Sequence, residues 1–290
     1  VPEFFGKFKK QLFSTIQFPV PNKYRMPKGF TFSDYQNYCI EKIEKKFSKN
    51  NNIAAFIMES GAQVAGGVII YPKGFQRKIS QLCKKYDVLF VLDEIATGLG
   101  RLGSMIQYEE QKSTPDIVAY GKMLTGGYLT MAATMTNKKI YDSYLGEFND
   151  WKHLFHGHTY TGNPIAAAVA NENLKMYKTK SLIKKIQKTS KVFEKFYQEI
   201  SEIDIVGDIR HKGMLMGIEI VTNRKKKTPI HPKKSINKIF FEEGKKQGIY
   251  LRTLGNIVML VPPLAISEKE LNLLLNGVIR TIKAARLKVI

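Results

Sequence analysis

Val88-Leu89-Phe90-Val91-Leu92 is the stretch that most restricts what this chain can fold into. Five consecutive aliphatic and aromatic residues leave no polar face, so a strand made of them is expected to be buried on both sides. Sheets covered on both faces are built from parallel strands joined by crossover helices, and the neighbouring sequence supplies those parts. Ile53 to Met58 is another short apolar run, followed by a loop from Gly61 to Gly67. A helix is expected from Pro72 to Tyr86, with Phe75, Ile79 and Leu82 on one face. Ile117-Val118-Ala119 and Leu129 to Met135 read as two more strands. An α/β fold with a mostly parallel sheet follows.

Beyond Ala166 the pattern changes. One helical stretch runs through Tyr177 and another from Ser181 to Ile200. Strands are then expected at Ile203 to Val206, Met214 to Val221, around Ile249-Tyr250-Leu251, and at Val258-Met259-Leu260, with a helix near Ser235 to Gln247. A last helix from Ser267 to Ala285 opens with Ser267 and Glu270 at capping-box spacing. The expected organisation is a larger α/β domain over residues 1–178 and a smaller α+β domain over residues 179–290.

Charge and cysteine content narrow the function. The net charge is +21, but eight of the 46 basic residues are arginine and 38 are lysine. Specific readers of phosphates and bases favour the arginine fork, whereas these lysines spread over helix faces such as Lys184-Lys185, Lys188, Lys191 and Lys195. Solvated surfaces, and no specific nucleic-acid partner, are expected. Arg224-Lys225-Lys226-Lys227 precedes Thr228-Pro229 and reads as a surface loop. No apolar run approaches the ~18 residues of a membrane span, and Val1-Pro2-Glu3-Phe4 does not resemble a secretion signal. Cys39 and Cys83 have no metal or disulfide spacing, so a cytoplasmic protein without a metal is expected.

Three pieces carry chemistry. Asp93-Glu94 ends the buried strand, where ligands gather in open α/β sheets; alternatively Asp93 only caps the next turn. Gly121-Lys122 follows the Asp116-Ile117-Val118-Ala119-Tyr120 strand. A lysine there would be partly desolvated, which favours the neutral amine needed for imine chemistry, although Gly-Lys pairs are commonly solvated. His156-Gly157-His158-Thr159-Tyr160-Thr161-Gly162-Asn163-Pro164 is a polar, glycine-punctuated loop entering a small-residue helix. It suits a phosphate dianion, or simply caps that helix.

Together, Asp-Glu-Ile-Ala-Thr-Gly-x-Gly-Arg-x-Gly (Asp93 to Gly103), Pro115-Asp116-Ile117 and Gly-Lys-x-Leu-Thr-Gly-Gly (Gly121 to Gly127) resemble the class III aminotransferases of pyridoxal-phosphate fold type I. The resemblance runs from about Ile53 to the C-terminal helix and includes Gly207-Asp208-Ile209-Arg210 and Leu251-Arg252-Thr253-Leu254-Gly255-Asn256. Within the class, Leu-Thr-Gly-Gly-Tyr-Leu and His-Gly-His-Thr-Tyr-Thr-Gly-Asn look most like the branch that aminates 8-amino-7-oxononanoate to 7,8-diaminononanoate in biotin biosynthesis.

That resemblance implies pyridoxal 5'-phosphate as cofactor and a role for each matching residue. Lys122 would hold the cofactor covalently and then act as general base and acid. Asp93 would pair with the pyridine nitrogen, and Ile95 would pack on one ring face. His158 and Thr159 would bind the phosphate, with Gly157 near the substrate, in a loop serving the neighbouring subunit of a homodimer. Arg252 would clamp a substrate carboxylate, unless it makes a surface salt bridge. Glu59 matches a family glutamate, followed here by Ser60 in place of the usual proline. The resemblance also implies a family segment ahead of Val1, carrying a Gly/Ser phosphate loop and a stacking aromatic, neither of which is found in residues 1 to 50. The amino donor would be S-adenosylmethionine or lysine. Another class III activity, toward ω-amino acids or acetylornithine, and a non-catalytic remnant are the alternatives.

Overall fold

A computed structural model describes residues 6–50, 52–179 and 181–289; the Val1-Pro2-Glu3-Phe4 start lies outside the described residues. Its first half runs through helix α1 (Phe32–Phe47), strand β1 (Ala55–Glu59), a hairpin of β2 (Ala62–Gln63) and β3 (Ile69–Ile70), helix α2 (Phe75–Lys85), strand β4 (Leu89–Asp93), helix α3 (Gln107–Glu110), strands β5 (Ile117–Tyr120) and β6 (Ala133–Thr136), helix α4 (Lys138–Ser143) and helix α5 (Pro164–Thr179). The second half runs through helices α6 (Leu182–Ser190), α7 (Val192–Lys195) and α8 (Tyr197–Glu202), strands β7 (Val206–Lys212), β8 (Leu215–Asn223) and β9 (Thr228–Pro229), helix α9 (Ile236–Lys246), strands β10 (Arg252–Leu254) and β11 (Ile257–Leu260), and helix α10 (Glu268–Val289). No helix among the described residues is long and apolar enough to cross a membrane.

The chain folds as two compact units. One comprises Ile43–Gly61 and Pro72–Lys184. Its sheet has the order β1-β4-β5-β6, parallel except for the antiparallel edge strand β6. The expected α/β class with a mostly parallel sheet is what forms. Helix α2 packs on β4 and buries Phe75, Ile79 and Leu82, as its periodicity predicts. Asp116 binds the strands together: its Oδ2 accepts Phe90 N–H at 2.8 Å, and its Oδ1 accepts Asn137 Nδ2 at 2.6 Å, at the cap of α4.

The expectation that β4 is buried on both sides needs correction. Phe90 and Leu92 are fully enclosed, but Leu89, Val91 and Asp93 are half-buried. The face they share with Ile57, which is 70% exposed, is only partly covered by this chain. An unbroken apolar run shows that two faces can be buried, not that this chain covers both.

The other unit comprises the described residues up to Lys42, Ala62–Tyr71, and Lys185 onward. Its antiparallel sheet, β10-β11-β8-β7 with β9 beside β8, is centred on β8, which is buried from Leu215 to Val221. Gly217 lets the hairpin lie close, since a Cβ there would come within 2.7 Å of Val68 Cβ. The capping box opens α10 as expected: Ser267 N–H donates to Glu270 Oε2 at 2.8 Å and Glu270 N–H to Ser267 Oγ at 3.2 Å.

Several boundaries differ from the sequence expectation, for identifiable reasons. The helix expected from Ser181 to Ile200 breaks at Lys191 and Phe196, where i→i+3 bonds tighten the backbone. The strand expected at Ile203 to Val206 forms at Val206–Lys212, because its polar Arg210 pairs with both Asp208 and Glu219. The strand expected around Ile249 to Leu251 forms three residues later at Arg252–Leu254, leaving Tyr250 exposed. In the first half, the strand expected from Leu129 begins only at Ala133.

The Tyr24-Arg25 stretch is tied to residues far along the chain. Arg25 Nε donates to Glu219 Oε1 at 2.7 Å, and Lys227 Nζ donates to Tyr24 O at 2.6 Å. Arg210 Nη1 meets Glu219 Oε2 at 2.8 Å, so one buried carboxylate serves two guanidinium groups. Burial pushes the Asp208 carboxyl upward, with Arg210 opposing it. Truncating one member of a buried ion pair strands the charge left behind. Glu219→Ala should therefore lower unfolding stability by about 3 kcal/mol, read as a drop in the urea midpoint, and should loosen the Tyr24–Arg25 segment toward proteolysis.

Candidate functional site

Parallel pairing sets which residues meet. In register, Glu59 lies beside Asp93 and Asp93 beside Ala119, so β1, β4 and β5 end along one edge. Gly121-Lys122 follows directly on β5. Asp93 Oδ1 accepts Ile95 N–H at 2.8 Å, which turns the chain immediately after the strand. Ile95 lies against Gly121: a Cβ at that glycine would sit 3.3 Å from Ile95 Cγ2. Asp93, Ile95 and the backbone of Lys122 are thereby gathered at one strand edge.

Lys122 departs from expectation in one respect. Its side chain is exposed in this chain, not partly desolvated as its strand-end position predicts. The neighbouring Asp93 is likewise only half-buried. Its backbone is left-handed, with φ of 45°. For a residue with a Cβ this costs about 1–2 kcal/mol, so the surrounding contacts must hold it. Lys122–Thr125 forms one 3-10 turn, closed by Gly126 in the left-handed region.

Glu94, the second residue of the Asp-Glu pair, is a buried support. It is 1% exposed and accepts Gln107 N–H at 3.0 Å and Tyr108 N–H at 2.7 Å, at the start of α3. Burial raises its pKa, while those two donors and the Ser60 hydroxyl pull it back. Ser60 N–H donates to Asp93 O at 2.9 Å, a bond that a proline could not make. Ser60 Oγ also accepts Gln76 Nε2 at 3.0 Å. Arg101 is buried beside Met123 and Tyr177, and its pKa is pushed down to about 10, chiefly by burial.

The loop from Trp151 to Thr161 is exposed throughout. Gly157, His158 and Thr159 lie there, ahead of α5. Thr161 Oγ1 accepts His158 N–H at 3.0 Å, and His158 Nδ1 accepts Tyr160 N–H at 3.1 Å. Asn163 Oδ1 then caps α5 through Ile165 and Ala166 N–H. Arg252 opens β10 in the other unit, exposed and paired with Met259.

One residue on helix α5, beside the Lys122 turn, was not singled out by the sequence pattern. Asn173 is 8% exposed and donates through Nδ2 to Met123 O at 2.6 Å and Leu124 O at 3.1 Å. A signal was present: Ala166, Ala170, Asn173 and Tyr177 form a buried stripe at helical spacing, and an asparagine in such a stripe needs polar partners.

An amine following a parallel strand, a carboxylate at the end of the adjacent strand, and an aliphatic side chain beside it form a donor set that fits pyridoxal 5'-phosphate. The chain belongs to the class-III aminotransferases, a pyridoxal-phosphate-dependent family whose model matches residues 4–282, and its two-unit α/β architecture agrees with fold type I. It is 36% identical over 281 residues to adenosylmethionine-8-amino-7-oxononanoate aminotransferase of Geobacter sulfurreducens, covering 96% of this chain and 62% of that one. It is 38% identical over 271 residues to the enzyme of the same name from Aquifex aeolicus, covering 93% and 60%. The crystal structure of adenosylmethionine-8-amino-7-oxononanoate aminotransferase from Methanocaldococcus jannaschii matches with a TM-score of 0.87 at 36% identity, covering 97% of this chain and 63% of that one. The chain thus spans about three fifths of the length of these relatives.

Glu94→Gln tests the buried carboxylate. An amide offers a single acceptor oxygen, so its NH2 group would face one of the two backbone N–H donors. The variant should lose about 2 kcal/mol of unfolding stability, measured by thermal or urea denaturation.

Proposed function

We propose that this chain works as an aminotransferase that converts 8-amino-7-oxononanoate to 7,8-diaminononanoate, with pyridoxal 5'-phosphate as cofactor and S-adenosylmethionine or lysine as amino donor. The observation that carries this reading is the strand edge where Asp93 and Ile95 adjoin Gly121-Lys122. The substrate is proposed from the likeness to the adenosylmethionine-8-amino-7-oxononanoate aminotransferases.

When bound, the cofactor provides an electron-withdrawing ring that accepts the electrons left when a proton leaves the substrate carbon. Lys122 Nζ would anchor it, then take that proton and return it, as a neutral amine can. The Asp93 carboxylate would keep a proton on the ring nitrogen, and Ile95 would cover one ring face and exclude water. His158 and Thr159 would hold the phosphate, Gly157 would border the substrate, and Arg252 would clamp a carboxylate through its two-pronged guanidinium.

Supporting a homodimer with shared sites, the unit that carries Lys122 exposes Tyr128, Phe148, Trp151, Phe155, Tyr160 and Ile165. Large apolar side chains exposed to this extent favour a protein partner. The exposed His158–Thr159 loop lies between Phe155 and Tyr160 in the chain, which fits a loop serving a neighbouring subunit.

With pyridoxal phosphate and either donor, the protein should aminate 8-amino-7-oxononanoate. Turnover of ω-amino acids or acetylornithine with none of that substrate overturns the assignment. Lys122→Ala should lower turnover by about a thousandfold and abolish the visible absorbance band that pyridoxal phosphate develops with the protein. A band that survives the substitution removes Lys122 from its role.

A further inference from the structure

We propose that Asn173 is the positioning residue for Lys122: its buried amide holds the turn that presents the lysine amine. The inference rests on the reading of Lys122 as the cofactor lysine and adds a residue that acts through it.

Lys122 sits in a left-handed conformation that its own Cβ disfavours, so an outside contact must select it. The turn that follows has few bonds of its own, with Leu124 N–H reaching Gly121 O at 3.0 Å and Gly126 N–H reaching Met123 O at 3.2 Å. Asn173 adds two more from across the fold, one to the carbonyl directly after the lysine and one to the next. Both acceptors are carbonyls, so the side chain must offer two N–H donors, as a primary amide does and a carboxylate does not. The amide oxygen lies over Gly126, where a Cβ would come within 3.2 Å of Oδ1. The closing glycine and the amide therefore fit as a pair.

The helix behind Asn173 is tied near both ends. Helix α5 is capped at its start by Asn163, and near its end Tyr177 OH donates to Leu99 O at 2.8 Å, in the glycine-rich loop after Asp93. Asn173 lies between these ties on the buried stripe. A side chain as long and exposed as that of Lys122 can sweep several ångströms, whereas productive geometry requires placement within about 0.5 Å. Fixing its backbone on a packed helix reduces that search. The same helix begins where the His158–Thr159 loop ends, so both cofactor-contacting segments are anchored to one element.

The test is selective labelling. The 290-residue chain is incubated with pyridoxal 5'-phosphate, reduced with borohydride and digested, and the label on Lys122 is measured as a share of the label on all 38 lysines. Wild type should favour Lys122. Asn173→Ala should lower that share about tenfold, as expected for losing two hydrogen bonds, while labelling of exposed Lys112 stays unchanged and circular dichroism shows a folded chain. Asn173→Asp should match Asn173→Ala. Asn173→Ser keeps one donor and should recover part of the loss; if Asn173→Ala does not fold, the serine variant is read in its place, at about threefold. Asn171→Ala, exposed on the same helix, should leave the share at the wild-type value. An unchanged share in a folded Asn173 variant overturns the inference alone. No preference for Lys122 in wild type overturns the cofactor reading and the inference with it.

Discussion

Parallel pairing of β1, β4 and β5 is the constraint on which the rest of the candidate site depends. Parallel strands end on the same side, so Glu59, Asp93 and Gly121-Lys122 reach one edge although they are far apart in sequence. An antiparallel arrangement would send Asp93 and Lys122 to opposite ends. The short loops that follow these strands then have little freedom. Ile95 is turned by the Asp93 carboxylate, and Gly121 leaves room for Ile95.

Around that edge, polar groups divide between buried supports and more open side chains. Glu94, Gln76, Ser60 and Asn173 are buried and spend their hydrogen bonds on backbone, on one another or, for Gln76, on the Ser113 hydroxyl. Asp93 is half-buried, while Lys122 and His158 are exposed. The adjacent residues Asp93 and Glu94 differ because successive side chains leave a strand on opposite faces: one is aimed at the site edge and the other at the start of α3. Burial of the supporting groups keeps water from competing for their bonds, so the turn carrying Lys122 is held by contacts stronger than they would be at the surface.

The second unit uses the same physics for a different purpose. A single carboxylate, Glu219, gathers Arg25 and Arg210 and ties an early segment of the chain to the β7–β8 pair. Charged residues that read as loop in a local window are therefore part of a strand, and the Tyr24–Arg25 stretch belongs to a folded unit. The burial of charge is tolerated because each group has an opposite partner within hydrogen-bond reach.

Much was legible in the sequence by itself. Apolar runs and helical periodicity specified an α/β fold with a mostly parallel sheet, the buried face of α2 and the capped start of α10, since these depend on residues within one or two turns of each other. The motifs around Asp93, Lys122 and His158 indicated the family for the same reason: tight turns and strand ends demand particular residues locally. Only the tertiary structure decided the exposure of Lys122, the half-open face of β4, the Glu219 cluster and the grip of Asn173 on the lysine turn. Arg25 lies 194 residues from Glu219, and Asn173 lies 50 from Met123. Such partners are chosen by how the sheet and helices close in space, which no local pattern of side chains encodes.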